Sequence, residues 1–228
     1  MTTITYAIGD IHGRLDLLTS LLAQIEEDAA AQKAQAKIVF CGDYVDRGMD
    51  SHGVIERLIA GPSRPGDTFV CLRGNHDVLF IQAVRTGTGL PDWAEQLWAH
   101  TQLSYHVGGS LHRAKLEAHA GFLEGLPFSH DDGQRFFVHA GVRPGVSLDA
   151  QTVEDLTWIR EEFLSHPDPL PRLVVHGHTI MGDTPVVTRN RVSIDTGAYT
   201  SGILTAAVFD GGPLRFIQAV GQAIAWAA

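Results

Sequence analysis

The chain has 228 residues, 44% of them hydrophobic and 19% charged, a balance that excludes wholesale disorder and suits one domain spanning 1–228. Seventeen basic and 26 acidic residues leave a net charge of −9, which argues against nonspecific nucleic-acid binding, because that needs a basic face to displace counterions. The start has no basic n-region and no stretch is long enough to span a bilayer. Both cysteines, Cys41 and Cys71, sit in apolar runs, so a cytoplasmic protein with buried, reduced thiols and no membrane partner is expected.

In chain order, residues 3–8 read as a strand, and Leu15, Leu18, Leu22 and Ile25 recur at helical spacing before an Ala/Gln-rich exposed face. Residues 37–40 form the next strand. Asp50 and Ser51 are N-cap candidates for a helix carrying Val54, Ile55, Leu58 and Ile59, stopped by Gly61-Pro62. A third strand at 68–72 precedes a helix over 77–85. Between 86 and 130 the pattern changes: Trp93, Leu97, Trp98, Leu103, Leu111, Leu116 and Phe122 suggest a helical cap insertion broken at Gly108-Gly109. Strand signals return at 135–138, 173–175, 185–188, 192–194, 203–209 and 214–220, with an apolar tail to 228 that is expected to dock or to form a dimer. Strand–helix alternation followed by consecutive strands predicts an α/β sandwich of two mixed sheets flanked by helices.

Five motifs follow apolar, β-favouring runs: Gly9-Asp10-Ile11-His12-Gly13, Gly42-Asp43-Tyr44-Val45-Asp46-Arg47-Gly48, Gly74-Asn75-His76-Asp77, His139-Ala140-Gly141 and His176-Gly177-His178-Thr179. Open α/β sheets build sites at the carboxyl ends of their strands, where loops converge. Each motif alone could be a turn or a packed histidine; five in order after five strands point to one site. Asp10, His12, Asp43, Asn75, His139 and His178 offer carboxylate, amide and imidazole ligands, a mixture suited to Mn, Fe, Zn or Co rather than to an oxygen-only calcium site. Six ligands exceed the needs of one ion, so a pair bridged by a carboxylate, roughly 3.5–4 Å apart, is the economical arrangement. Such a pocket stays locally positive and favours a phosphate. A bridging hydroxide would already be a nucleophile, leaving protonation of the departing oxygen to a histidine beside the metals.

These motifs, running from Gly9 to Thr179, resemble the phosphoprotein-phosphatase superfamily of metallophosphoesterases, close to its small bacterial serine/threonine phosphatases and to the symmetrical diadenosine tetraphosphatases. The resemblance implies the calcineurin-like fold and two divalent ions, Mn first, with Fe, Zn, Co or Ni as substitutes. It implies that Asp10 and His12 hold the first metal, that Asp43 bridges, and that Asn75, His139 and His178 complete the second. His76 would be the general acid, oriented by Asp46, with Arg47 gripping phosphate oxygens. Arg160, in Thr157-Trp158-Ile159-Arg160-Glu161, matches a second phosphate-binding arginine of bacterial members. Asp77 departs from the commoner Glu; either acid could cap the following helix or support a neighbour. His176 is expected behind the ligands, and the other histidines and both cap tryptophans are expected in surface or cap packing.

The expected activity is a metal-dependent phosphomonoesterase acting on phosphoserine or phosphothreonine in proteins, with small phosphoesters as further substrates. Hydrolysis of dinucleoside polyphosphates and a non-catalytic phospho-binding module are the alternatives. Cys41 and Arg47 also satisfy the C-x5-R spacing of cysteine-dependent phosphatases, but Asp43 and Asp46 within that loop would repel thiolate and phosphate alike.

Overall fold

Alternation within residues 3–8 decides how the first strand is used. β1 (Thr3–Ile8) turns Ile4, Tyr6 and Ile8 toward one core and Ala7 toward another, as a strand buried on both faces must. In the computed structural model, which describes residues 2–88 and 90–224, the chain continues through α1 (Leu15–Ala31), β2 (Gln35–Phe40), α2 (Ser51–Ala60), β3 (Thr68–Cys71) and α3 (Asn75–Thr86). Helix α3 starts two residues before the expected 77 because Asp77 Oδ2 accepts the N–H of Gly74 at 2.9 Å. Asn75 and His76 therefore lie in its first turn.

The insertion is α4 (Asp92–Leu103), a short hairpin of β4 (His106–Val107) and β5 (Ser110–Leu111), and α5 (Arg113–Glu124). Gly108 and Gly109, with φ of 59° and 81°, make the hairpin turn, a conformation that residues with a Cβ rarely take.

The second half contributes β6 (Ser129–Asp131), β7 (Arg135–Val138), the short helices α6 (Val153–Trp158) and α7 (Glu161–Leu164), then β8 (Leu173–His176), β9 (Val186–Val187), β10 (Arg191–Ser193), α8 (Ala198–Ser201), β11 (Ile203–Phe209) and β12 (Arg215–Val220). One five-stranded sheet runs β12-β11-β1-β2-β3 and the other β6-β7-β8-β10-β9. In the first, β1, β2 and β3 are parallel and β11 and β12 antiparallel; in the second, β7, β8 and β10 are parallel. Ala7, Val39, Cys41 and Ala207 of the first sheet meet Phe137, Val175 and Val192 of the second. Helices α1 and α2 cover the outer face of the first sheet, and α6 and α7 that of the second through Leu156, Phe163 and Val174. The layers are helix, sheet, sheet, helix, as expected from the order of the elements.

The strand expected at 185–188 shrinks to Val186–Val187, at the sheet edge. The tail after β12 docks as far as residue 224: Gly221 donates to Gly202 O at 2.8 Å and Ile224 to Tyr199 O at 3.1 Å. Residues 225–228, which carry the rest of the expected docked or dimer-forming tail, lie outside the described residues. Cys41 is buried, Cys71 is partly so, and both are free thiols. Among the described residues no helix is long and apolar enough to cross a membrane.

Candidate active site

The parallel strands β1, β2, β3, β7 and β8 end on the same side of the sandwich, and the five motifs leave from those ends. Asp43, 1% exposed, stands at the centre. Its Oδ2 lies 3.5 Å from His12 Nε2 and 3.5 Å from His139 Nε2, with His76 Nε2 at 4.0 Å. His139 Nε2 is also 2.8 Å from Asn75 Oδ1 and 3.2 Å from His178 Nδ1. Ligand atoms of His12, Asp43 and His76 form one set close enough to hold an ion, and those of Asp43, His139 and His178 a second that shares Asp43. Asp10 stands slightly apart: its two oxygens accept the His178 N–H at 3.2 and 3.0 Å, and Oδ1 is 3.9 Å from His139 Nδ1.

Backbone acceptors fix the imidazoles. His12 Nδ1 meets Val45 O at 2.8 Å and His139 Nδ1 meets Cys41 O at 2.9 Å, so each ring presents its Nε2 to Asp43. Two glycines allow the loops to close. A Cβ on Gly74 would fall 2.1 Å from Asp43 Oδ1, and one on Gly177 would fall 1.9 Å from Asp10 Oδ1. His12, Asp43, Asp46, Arg47 and His178 all have φ between 45° and 69°, a left-handed backbone that costs about 1–2 kcal/mol per non-glycine residue and that clusters at functional sites.

Electrostatics point to cations. Burial pushes Asp10 well above the usual carboxylate range, and Asp195 and Asp43 push it further. Asp195 is raised by burial to about 6, and Asp77 by burial and by Asp43 to about 8. Burial would also raise Asp43, but the imidazoles of His139, His76 and His12 hold it below its ordinary value. His12 is driven down to about 3 by burial and His76, and His178 to about 2 by burial and His139; neutral imidazoles are the ligating form. The Nε2 of His178 is buried with no partner. Crowded buried carboxylates, neutral imidazoles and an orphaned nitrogen fit divalent ions of the borderline class.

Beside the ligands, His76 Nδ1 is 2.7 Å from Asp46 Oδ2, and Asp46 Oδ1 accepts from Thr101 Oγ1 at 2.5 Å. Arg47 donates to Tyr199 OH at 3.0 Å with its guanidinium 4.6 Å from the ring centroid, and its Nε is buried without a partner. His76, Arg47 and Tyr199 open into a cavity of about 430 Å³ that the exposed Arg160 also lines, together with Trp93, Trp158, Ile180 and Asp195. Asp77 supports the bridging position as well as the helix: its oxygens accept the backbone N–H of Asp43 at 2.9 Å and of Tyr44 at 3.0 Å. His176 points away, with Nε2 on Ser193 Oγ at 2.7 Å. The Cys41 thiol is buried and pushed upward by burial and by Asp10, the reverse of what a nucleophilic cysteine requires.

One expectation is corrected. Trp93 is no cap-packing residue: it is 45% exposed and edge-on to His76 at 5.7 Å and to Trp158 at 6.2 Å, whereas Trp98 packs on Phe80 at 5.6 Å. Sequence reading also missed Thr101, Trp158, Asp195 and Tyr199. Asp195 directly follows Ile194 at the carboxyl end of β10, the position that marked the candidate ligands, and was within reach of the same rule.

A model of the calcineurin-like phosphoesterase family matches residues 5–202. Bis(5'-nucleosyl)-tetraphosphatase PrpE [asymmetrical] of Anoxybacillus flavithermus is 30% identical over 87% of each chain. Serine/threonine-protein phosphatase 2 of Salmonella typhimurium is 24% identical over 88% of this chain and 90% of its own. Among solved structures, a candidate diadenosine tetraphosphatase aligns with a TM-score of 0.67 at 23% identity over 97% of this chain and 98% of its own.

Proposed function

The chain belongs to the calcineurin-like phosphoesterases, hydrolases that use divalent metals, and from that premise we propose that it is a two-metal phosphatase acting on phosphoserine and phosphothreonine by direct attack of water. The observation that carries the two-metal reading is Asp43, whose Oδ2 lies 3.5 Å from both His12 Nε2 and His139 Nε2 and which belongs to two separate sets of ligand atoms. Asp10 and His12 would hold one ion, Asn75, His139 and His178 the other, with Asp43 between them. Mn²⁺ is the proposed resident, since carboxylate, amide and imidazole donors together suit it. When bound, the ions supply Lewis acidity toward the phosphoryl group and lower the pKa of water.

The chain's own residues do the rest. Arg47 and Arg160 both line the cavity and would grip phosphoryl oxygens, which a planar guanidinium can do with paired, charge-assisted hydrogen bonds. His76 turns Nδ1 to Asp46 and leaves Nε2 toward the cavity, where it can pass a proton to the departing serine or threonine oxygen. Asp46 keeps the ring oriented and favours its protonated form. No cysteine takes part.

The Salmonella phosphatase, similar across 88% of this chain, supports the phosphoprotein reading. A second reading, hydrolysis of dinucleoside polyphosphates, is favoured by the indoles of Trp93 and Trp158 at the cavity wall, which offer surfaces for a nucleobase, and by the Anoxybacillus relative. A Mn²⁺-supplemented panel of phosphopeptides, para-nitrophenyl phosphate and diadenosine tetraphosphate decides between them. Higher kcat/KM on phosphopeptides is expected, and preference for the dinucleotide overturns the first reading. Inactivity on the whole panel with metals bound would leave a phospho-binding module.

A further inference from the structure

Away from the strand ends, α2 and the cap helix α5 bring a second group of ligating side chains together. His52 and Glu56 sit one turn apart on α2, and His119 of α5 reaches across to them. One ligand atom from each of the three lies within 4.8 Å of the other two. Glu56 Oε1 is 2.8 Å from His119 Nε2 and 3.8 Å from His52 Nε2, and the two imidazole rings are 5.3 Å apart, tilted by 30°. We propose that His52, Glu56 and His119 form a separate metal site, for a single Zn²⁺-class divalent ion, which ties the cap helix to α2. The inference is independent of the catalytic reading.

The chemistry of the three groups suits such an ion. Two imidazoles and one carboxylate are a donor set that zinc takes with a fourth, solvent position, and here the partly exposed side of His52 and Glu56 provides it. His119 is 1% exposed and held at Nδ1 by Tyr105 OH at 2.8 Å. A ligating histidine commonly donates its second ring N–H to such a neighbour, which fixes both tautomer and orientation. With Nδ1 donating to the phenol oxygen, Nε2 carries the free lone pair toward Glu56.

Lys115 is the competitor. Its Nζ meets Glu56 Oε1 at 2.5 Å, one turn before His119 on the same face of α5. An ion pair of Lys115 with Glu56 does not call for two imidazoles aimed at the same carboxylate oxygen. The Lys115 side chain is 43% exposed, and its ammonium can swing into solvent when a dication takes its place. The ion would also steady the cap's attachment near His76 and Asp46, since the His52 N–H donates to Ser104 Oγ at 3.2 Å at the end of α4, the helix that carries Thr101.

Folded parent protein, His52→Ala and Lys115→Met are saturated with Mn²⁺, equilibrated with Zn²⁺, desalted and counted for metal by mass spectrometry. His52 is partly exposed, so its removal spares the core. Parent is expected to retain one more Zn²⁺ per chain than His52→Ala, whatever the catalytic centre holds in both. Lys115→Met, lacking the competing charge, is expected to bind that ion about tenfold more tightly. Zn²⁺ is expected to raise the Tm of the parent above any rise seen in His52→Ala. Equal zinc in parent and His52→Ala, or no gain of affinity in Lys115→Met, overturns the site and leaves an ion-pair cluster.

Discussion

Thr101 donates its hydroxyl to Asp46 Oδ1 while the other oxygen of that carboxylate, Oδ2, meets His76 Nδ1 at 2.7 Å. All three side chains are buried, so a residue of the cap helix stands behind the proposed acid. Thr101→Val keeps the shape and removes the donor, which leaves Asp46 free to turn. Its kcat is expected to fall about tenfold, the scale of one lost hydrogen bond to a charged group, with KM little changed. Thr101→Ser should restore most of the rate, and a Ser variant as slow as the Val variant would reduce Thr101 to packing.

His76→Ala tests the acid itself. General acid catalysis contributes about 10²–10⁴-fold, so turnover of an alkyl phosphate should drop by that order while metal content stays near that of the parent. Para-nitrophenyl phosphate, whose leaving group needs little protonation, should lose much less. Equal losses on the two substrates would remove His76 from the role.

Asp43→Asn should lower bound metal and activity together, because one oxygen faces ligands of both proposed ions. Retention of two ions with near-parent turnover would show that Asp43 does not bridge.

Cys41→Ser should keep most of the activity and a chelator should abolish it in the parent, since the thiol is buried and held protonated. Chelator-resistant turnover in metal-free protein would refute the mechanism outright.

Asp28 offers a stability test remote from the site. It accepts from Tyr6 OH at 2.6 Å and from Arg215 Nη2 at 2.7 Å, joining α1 to β1 and β12. Burial alone would raise its pKa, but Arg215 and Tyr6 outweigh that and hold it below the ordinary value. A depressed carboxylate stabilises the fold above its unfolded value of about 3.9, and the contribution is lost as pH falls through the folded value. Asp28→Asn should therefore cost about 1–3 kcal/mol at neutral pH, by urea unfolding, and progressively less as pH drops below about 4. A cost unchanged by acid would mean that the charge plays no part.

The sheets and the convergence of the candidate ligands were legible because each rests on local signals: apolar runs of strand length, followed within a few residues by Asp, Asn or His. Residues 3–8, 135–138 and 203–209 became strands with those bounds. Thr101 left no such trace. It is one polar residue on an amphipathic helix, and its partner lies 55 positions earlier. The two cap tryptophans looked alike in sequence, yet five positions of helix turn Trp98 to the core and Trp93 to the cavity, a difference that depends on where the helix is docked.

The proposed ligands come from both halves of the sandwich, Asp10, His12, Asp43 and Asn75 from the first sheet's loops and His139 and His178 from the second's. A fragment that folded only the first sheet would lack two of the six, and one that folded only the second would lack four. Metal uptake thus reports that the two sheets have met, and ions bound there draw the folding equilibrium toward the native state by mass action, by about 2.7 kcal/mol when free metal stands at 100 times its dissociation constant. Metal supply then acts on the lifetime of the protein as well as on its catalysis: in metal-starved conditions the same sequence should unfold and be degraded sooner.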